Sequence, residues 1–317
     1  MPEVIKEISV LMPAFNSADY IGHSIKSILR QSHEEFEFII VNDGSTDKTE
    51  DVILSFNDPR IKYFKTENKG TAAAMNFGIS KAQFKWIARI DSDDLSSPDR
   101  LEKQINFLNE NHEIDILSSW SIYFNNKGKI LFFLHPETEH KEIIKALNLH
   151  NPINQSGLMF KKSILKKDKY NEKYMFNEDF ELMHRLKEKV KYHNIPEYLT
   201  YTRVSGRSKS FLQRKNSVCD FLFNPAFKNL LDAKSKGEHF YWASVIAWIN
   251  FFYGDRKQSR NYFKSSVSLK NTIAYLATLL PEKAFDKFID FRLKYRLKSL
   301  FTGKNKYYNE LNRLLNE

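Results

Sequence analysis

Along residues 8–121, short apolar runs alternate with stretches whose apolar positions recur at helical spacing. Residues 8–12, closed by Pro13, together with 36–41, 60–65, 86–90 and 114–121, are short and apolar and predict strands. Between them, 20–30, 47–56, 71–81 and 98–109 predict helices. The first carries its stripe at Tyr20, Ile21, Ile25, Ile28 and Leu29. Alternation at these lengths predicts a mostly parallel, doubly wound α/β sheet. Beyond it the pattern predicts a hairpin over 124–134 around Asn125 to Gly128, a helix over 137–148, a strand over 155–160, a helix over 180–189 and an extended segment over 198–204. After Lys215 strand signals stop. Residues 216–236, 238–253, 255–269 and 282–300 all read as helices, broken at Gly237, Gly254 and Pro281. The change of pattern sets a boundary near residue 212.

Composition narrows the class. With 42% apolar and 14% aromatic residues in 317, the chain can bury a sizeable core. One cysteine, Cys219, excludes an intramolecular disulfide and a cysteine-rich metal cluster, and fits a reducing compartment. No signal-peptide pattern opens the chain. The apolar stretch 241–253 is interrupted by Ser244 and Asn250 and is too short to span a bilayer, so a cytoplasmic protein, soluble or peripheral at the membrane, is expected. Charge is uneven: residues 201–317 hold 22 Lys and Arg against 9 Asp and Glu, whereas the rest of the chain is slightly acidic. A basic, aromatic-rich tail of this kind suits an anionic surface. No nucleic-acid module accompanies it, so nucleic acid is not an expected partner.

Candidate chemistry sits at the ends of the predicted strands. Asp91, Ser92, Asp93 and Asp94 follow the run 86–90, where an open α/β sheet delivers ligands to a crevice. Clustered carboxylates repel and need a cation or a strong hydrogen-bond network; an oxygen site of this type suits Mg²⁺ or Mn²⁺ shared with substrate phosphates. A helix start at Ser96 or Ser97 before Pro98 is the plainer reading. At the second junction Asp43 precedes Gly44, placed to accept hydrogen bonds from a base or ribose, or to make an ordinary capped turn. Lys69 and the small residues 70–74, with Asn76 beyond them, open the third helix; they suit a ligand at its N-terminus or close helix packing. Glu178 and Asp179 fall at a helix start, as dipole complements or as a carboxylate that takes a proton from an attacking hydroxyl. The first junction, Pro13-Ala14-Phe15-Asn16, carries neither a Gly-x-Gly-x-x-Gly fingerprint nor a P-loop, which disfavours NAD enzymes and ATPases.

In this order, Val10 to Asn16, Val41 to Asp47, and Ala88 to Asp94 with Pro98 to Leu101 resemble the family 2 glycosyltransferases of the GT-A fold, in particular the bacterial enzymes of lipopolysaccharide, capsule and exopolysaccharide synthesis. The likeness covers residues 7–210. It implies a doubly wound mixed sheet over 1–212, with a nucleotide-sugar part to about 122 and an acceptor part over 123–212, followed by a helical region over 213–317. It implies that Pro13, Ala14, Phe15, Asn16 and Asp43 lie at the nucleotide. Lys69, Asn76, Arg89, Asp91, Ser92, Arg203 and Arg207 are assigned to the rest of the nucleotide sugar. Asp93 and Asp91 would hold Mn²⁺ or Mg²⁺, Asp179 would be the base of an inverting displacement, and Glu178 its neighbour at the acceptor. A UDP-sugar donor and a glycan or polyprenyl-diphosphate-linked acceptor follow from the same resemblance.

Three positions depart from it. Asn42 stands where many members have an acid, Gln155 where a His is common, and Ser205 where many carry His. Two other functions compete: a nucleotide-sugar-binding protein without catalysis, disfavoured by the presence of Asp91, Asp93 and Asp179, and a nucleotidyltransferase, disfavoured because residues 12–15 supply no basic phosphate-binding loop.

Overall fold

The computed structural model describes residues 4–148, 151–174, 177–204, 260, 275–276, 279 and 305–316. In chain order, β1 (Ile8–Ala14), α1 (Ile21–Leu29), β2 (Phe36–Asp43), α2 (Thr49–Leu54), β3 (Ile61–Thr66), α3 (Thr71–Lys81) and β4 (Trp86–Arg89) form the alternation that the apolar pattern predicts. They are followed by β5 (Leu95–Ser96), α4 (Arg100–Glu110), β6 (Ile116–Asn125), β7 (Ile130–Leu134), α5 (His140–Ala146), β8 (Met159–Lys161), α6 (Lys162–Lys167), α7 (Glu178–Leu186), β9 (Tyr192–Val204) and α8 (Asn305–Asn316). The sheet runs β3-β2-β1-β4-β8-β6-β9-β5, with β7 paired to β6.

Strands β1 and β2 are buried along their whole length, as expected of parallel strands covered on both faces. Pro13 does not close β1 but lies within it. Ile90 N–H donates to the Leu11 carbonyl at 3.1 Å, and pairing with β4 stops there. Two residues on, Pro13 faces the side where no strand remains, so its missing N–H costs no ladder bond. The small residues of α3 let it lie close on β1: a Cβ built at Gly78 would stand 2.2 Å from Leu11 Cδ1.

Only half of the sheet is parallel. Beyond β4 the pairings β4–β8, β6–β8, β6–β7 and β5–β9 are antiparallel. Apolar periodicity does not encode strand direction, so the sequence pattern could not separate the halves. The strand predicted over 155–160 is a 3₁₀ turn, Gln155–Gly157, followed by β8. The turn presses on β6, where a Cβ at Gly157 would stand 2.8 Å from Ser119 Oγ.

Two compact units divide the chain, one of residues 1–203 with 304–317 and the other of residues 204–303. The last helix thus belongs with the sheet. Leu311 and Leu314 of α8 pack with Leu95, Ile122, Phe124, Ile130, Phe133 and Tyr201. Apart from residue 260, the helices predicted over 216–300 lie outside the described residues, as do the boundary near 212 and Cys219. No helix among the described residues is long and apolar enough to cross a membrane.

Candidate active site

The carboxyl ends of β1, β2 and β4 lie side by side at one edge of the sheet, and the loops that leave them are locked together. Asn16, in the left-handed region at φ 47°, accepts from Thr46 N–H through Oδ1 at 2.8 Å, and its own N–H donates to Ser45 Oγ at 3.0 Å. Ser17 N–H donates to Thr49 Oγ1 at 2.8 Å, and Ala18 N–H to Asp47 Oδ2 at 3.1 Å. Pro13 and Ala14 are buried, while Phe15 stands 46% exposed at the loop tip. Asp43 is 3% exposed and accepts from Gly70 N–H at 2.8 Å and Lys69 N–H at 3.1 Å. It therefore holds the start of α3. Asn42, where an acid is common, is fully buried; its amide donates to Tyr63 Oη and accepts from Ser45 N–H.

The acidic turn after β4 divides its carboxylates by environment. Asp94 is 4% exposed, with Oδ2 2.5 Å from Ser156 Oγ and Oδ1 accepting from Arg203 N–H at 2.7 Å. Burial, then the neighbouring Asp93 and Asp91, raise its carboxyl well above the usual range. Asp93 is half-buried; burial and the Asp91 charge push it up to about 6, against the pull of Arg203. The side chain of Asp91 is 33% exposed and pairs with Arg89 Nε at 2.9 Å. The Ser92 carbonyl accepts from Ser24 Oγ at 2.9 Å, tying the turn to α1.

Arg203, at the end of β9, is 5% exposed. Its guanidinium lies between the rings of Tyr20, at 4.7 Å, and Phe124, at 4.5 Å, and Nε donates to the Asp93 carbonyl at 2.9 Å. Its Nη2 is buried without a partner among the described residues. Burial lowers its pKa, opposed by Asp93 and Asp94. Among the described residues no three His, Cys, Asp or Glu side chains converge on one point. What the turn offers is two carboxylates, Asp91 and Asp93, the second made more basic by burial and by the first, beside a buried guanidinium with an N–H unpaired among the described residues. That set fits a hard divalent cation completed by phosphate oxygens rather than a closed protein cage.

Asn177 at φ 56° turns the chain into α7, whose first residues are Glu178 and Asp179. Asp179 Oδ2 accepts from Asn151 Nδ2 at 3.1 Å, and Glu178 is 6% exposed. Arg89 links the two acidic segments. It is 3% exposed, and besides Asp91 its Nη1 donates to Gln155 Oε1 at 2.9 Å and reaches Tyr170 Oη at 3.4 Å. Burial works against its charge, yet Asp91, Tyr170, Glu178 and Asp179 together raise its pKa. Burial pushes the Tyr170 hydroxyl up to about 12.

Other expected site residues are placed differently. Asn76 exchanges hydrogen bonds with the Tyr170 main chain, at 2.9 and 3.0 Å, and so clamps the segment before α7 to α3. The Lys69 ammonium is exposed and 3.8 Å from Glu67. Arg207 and Ser205 lie outside the described residues. Asn151, Ser156 and Tyr170 belong to the site without having been singled out by the sequence; each is a polar residue in a loop with no spacing to mark it. Arg100 lies in the Pro98 to Leu101 motif without a role assigned by the sequence. It is wholly buried, donates to the Arg89 carbonyl at 2.8 Å, and burial pushes it down to about 9.

Residues 9–169 match the model of glycosyl transferase family 2. The chain belongs to this family. The glycosyltransferase is 33% identical over 255 residues to an uncharacterised glycosyltransferase of Methanocaldococcus jannaschii, covering 78% of this chain and 85% of that one. Among solved structures it is similar to TarS of S. aureus in complex with UDP, at TM-score 0.54 and 20% identity over 97% of this chain and 89% of that one. It is also similar to a mannosyltransferase from Pyrobaculum calidifontis in complex with GDP-Man and Mn²⁺, at TM-score 0.55 and 14% identity, covering 97% and 84%. The fold of this glycosyltransferase is accordingly GT-A.

Proposed function

We propose that the glycosyltransferase is an inverting, metal-dependent enzyme. It moves a sugar from a nucleotide diphosphate to a hydroxyl of a glycan or a polyprenyl-diphosphate-linked glycan in cell-surface polysaccharide synthesis. The observation that supports this reading is a shared partner: Arg89 pairs with Asp91 of the acidic turn and lies within electrostatic reach of Glu178 and Asp179 at the start of α7. One carboxylate group is thereby available to a diphosphate and the other to an attacking hydroxyl.

Pro13 to Asn16 and Asp43 border the nucleotide, with the Phe15 ring offering a face to the base. Arg203 directs its open N–H to the diphosphate. Asp179 accepts the proton of the acceptor hydroxyl as that oxygen attacks the anomeric carbon from the face opposite the leaving group, so configuration inverts. Glu178 orients the acceptor. Asp93 and Asp91 would hold Mn²⁺ or Mg²⁺, which when bound neutralises charge on the departing diphosphate. UDP is the leading nucleotide, since TarS is seen with UDP, and GDP is the second candidate. The basic composition of residues 201–317 supports attachment to an anionic membrane surface from the cytoplasmic side.

The test is a thermal-shift panel of UDP-, GDP-, dTDP- and CMP-sugars with Mn²⁺ or with EDTA, followed by transfer assays. A donor at one hundred times its Kd adds about 2.7 kcal/mol, a shift of several degrees. A metal-dependent shift with one nucleotide identifies the donor class. Asp179→Asn is expected to abolish transfer while donor binding stays within a few-fold. Wild-type turnover by that variant overturns the role of Asp179, and no shift with any nucleotide overturns the donor reading.

A further inference from the structure

A chain of hydrogen bonds, joined through the main chain of Ile153, runs from the end of β4 to the start of α7. Arg89 Nη1 donates to Gln155 Oε1 at 2.9 Å. Gln155 Nε2 donates to the Ile153 carbonyl at 3.1 Å, and Ile153 N–H donates to Asn151 Oδ1 at 3.0 Å. Asn151 Nδ2 then donates to Asp179 Oδ2 at 3.1 Å. Both side-chain amides are thereby fixed in sense. The Ile153 N–H requires the oxygen of Asn151 to face it, which leaves the NH₂ for Asp179. The Arg89 fork requires the oxygen of Gln155, which leaves its NH₂ for the Ile153 carbonyl. A third contact pins the same strip: Ser156 Oγ accepts from Asp91 N–H at 3.2 Å and meets Asp94 Oδ2.

We propose that Asn151 and Gln155 are positioning residues. The strip 151–156 carries the orientation of the Arg89 guanidinium, itself paired with Asp91, to the Asp179 carboxylate. This inference rests on Asp179 being the base. Occupation of Oδ2 by Asn151 aims Oδ1 at the acceptor, so the strip sets the angle at which the hydroxyl proton is taken relative to the sugar held at the acidic turn. Gln155 serves as the neutral acceptor that holds Arg89 in place without titrating.

The experiment compares wild type with Asn151→Ala, Asn151→Asp and Gln155→Leu in steady-state transfer, with nucleoside diphosphate and Mn²⁺ binding followed by calorimetry. Asn151→Ala is expected to lower kcat about 10- to 100-fold, with donor KM and diphosphate Kd within two-fold, because only the orientation of the base is lost. Gln155→Leu is expected to lower kcat in the same sense. Asn151→Asp places a carboxylate against Asp179, which already lies within electrostatic reach of Arg89 and Tyr170. Like charges disfavour joint ionisation, so the acidic limb of kcat moves to higher pH. Wild-type kcat in Asn151→Ala, or an unshifted limb in a folded Asn151→Asp, overturns the proposal. Transfer by Asp179→Asn at the wild-type rate overturns instead the assignment on which it rests. Loss of diphosphate binding in all three variants would assign the strip to the donor pocket and likewise overturn it.

Discussion

Asp94 ties the end of β9 to the acidic turn: its Oδ1 accepts the Arg203 main-chain N–H at 2.7 Å, while Oδ2 meets Ser156 at 2.5 Å. Burial, with the neighbouring Asp93 and Asp91, raises its carboxyl well above the ordinary range, and both of its oxygens are taken by these internal contacts. Asp94→Asn keeps the acceptor for the Arg203 N–H and is expected to cost less than about 1 kcal/mol. Asp94→Leu leaves buried donors unpaired, at about 1–3 kcal/mol each. Denaturant unfolding of the two variants checks the difference.

Asp93 makes stability depend on pH and on cation. Its folded pKa, about 6, lies above the unfolded value near 3.8, so the native state binds the proton more tightly. Stability without metal therefore falls as pH rises from about 4 through about 6, because there the folded state holds more protons than the unfolded one. Melting curves between pH 4 and pH 7 are expected to show this fall, and Asp93→Asn to reduce it, leaving the part contributed by the raised Asp94 carboxyl. Mn²⁺ with a nucleoside diphosphate is expected to raise Tm more at pH 7 than at pH 5, where it competes with a proton.

Asp43 has a structural duty beside any contact with nucleotide. Asp43→Ala would strip the acceptor from the Gly70 and Lys69 N–H groups at the start of α3, where Gly70 has φ 91°. An expected loss of about 1 kcal/mol for each lost hydrogen bond accompanies weaker nucleotide binding. Calorimetry and unfolding on the same preparation separate the two effects.

The neighbouring Gly44 is at φ 69°, and a Cβ there would stand 2.7 Å from the main-chain nitrogen of Asn68. Backbone cannot yield as a side chain does. Gly44→Ala is expected to cost about 2 kcal/mol or more, read as a lower denaturation midpoint with unchanged slope.

Leu311 is fully buried, although it lies far along the chain from the sheet it packs on. Leu311→Ala is expected to destabilise the protein by about 2–4 kcal/mol. Because α8 shares its core with Phe124 and Tyr201, on the strands that hold Arg203, nucleotide affinity should fall as well.

The alternation of apolar runs and helical stripes was enough to place most elements of residues 8–125 within a few positions, because burial on both faces of parallel strands writes an unbroken apolar signal. The junction residues Asp43, Asp91, Asp93 and Asp179 were also legible, since acids at strand ends and helix starts stand out against their surroundings. Strand direction beyond β4, the return of α8 to the sheet and the separate environments of Asp93 and Asp94 were not. Each depends on which distant segment arrives beside a residue. Adjacent carboxylates in sequence carry the same charge, and only burial and partners from residues 156 and 203 set them apart. Asn151 and Gln155 belong to the same class: as isolated amides they carry no pattern, and only the folded chain aligns them into a hydrogen-bonded path between Arg89 and Asp179.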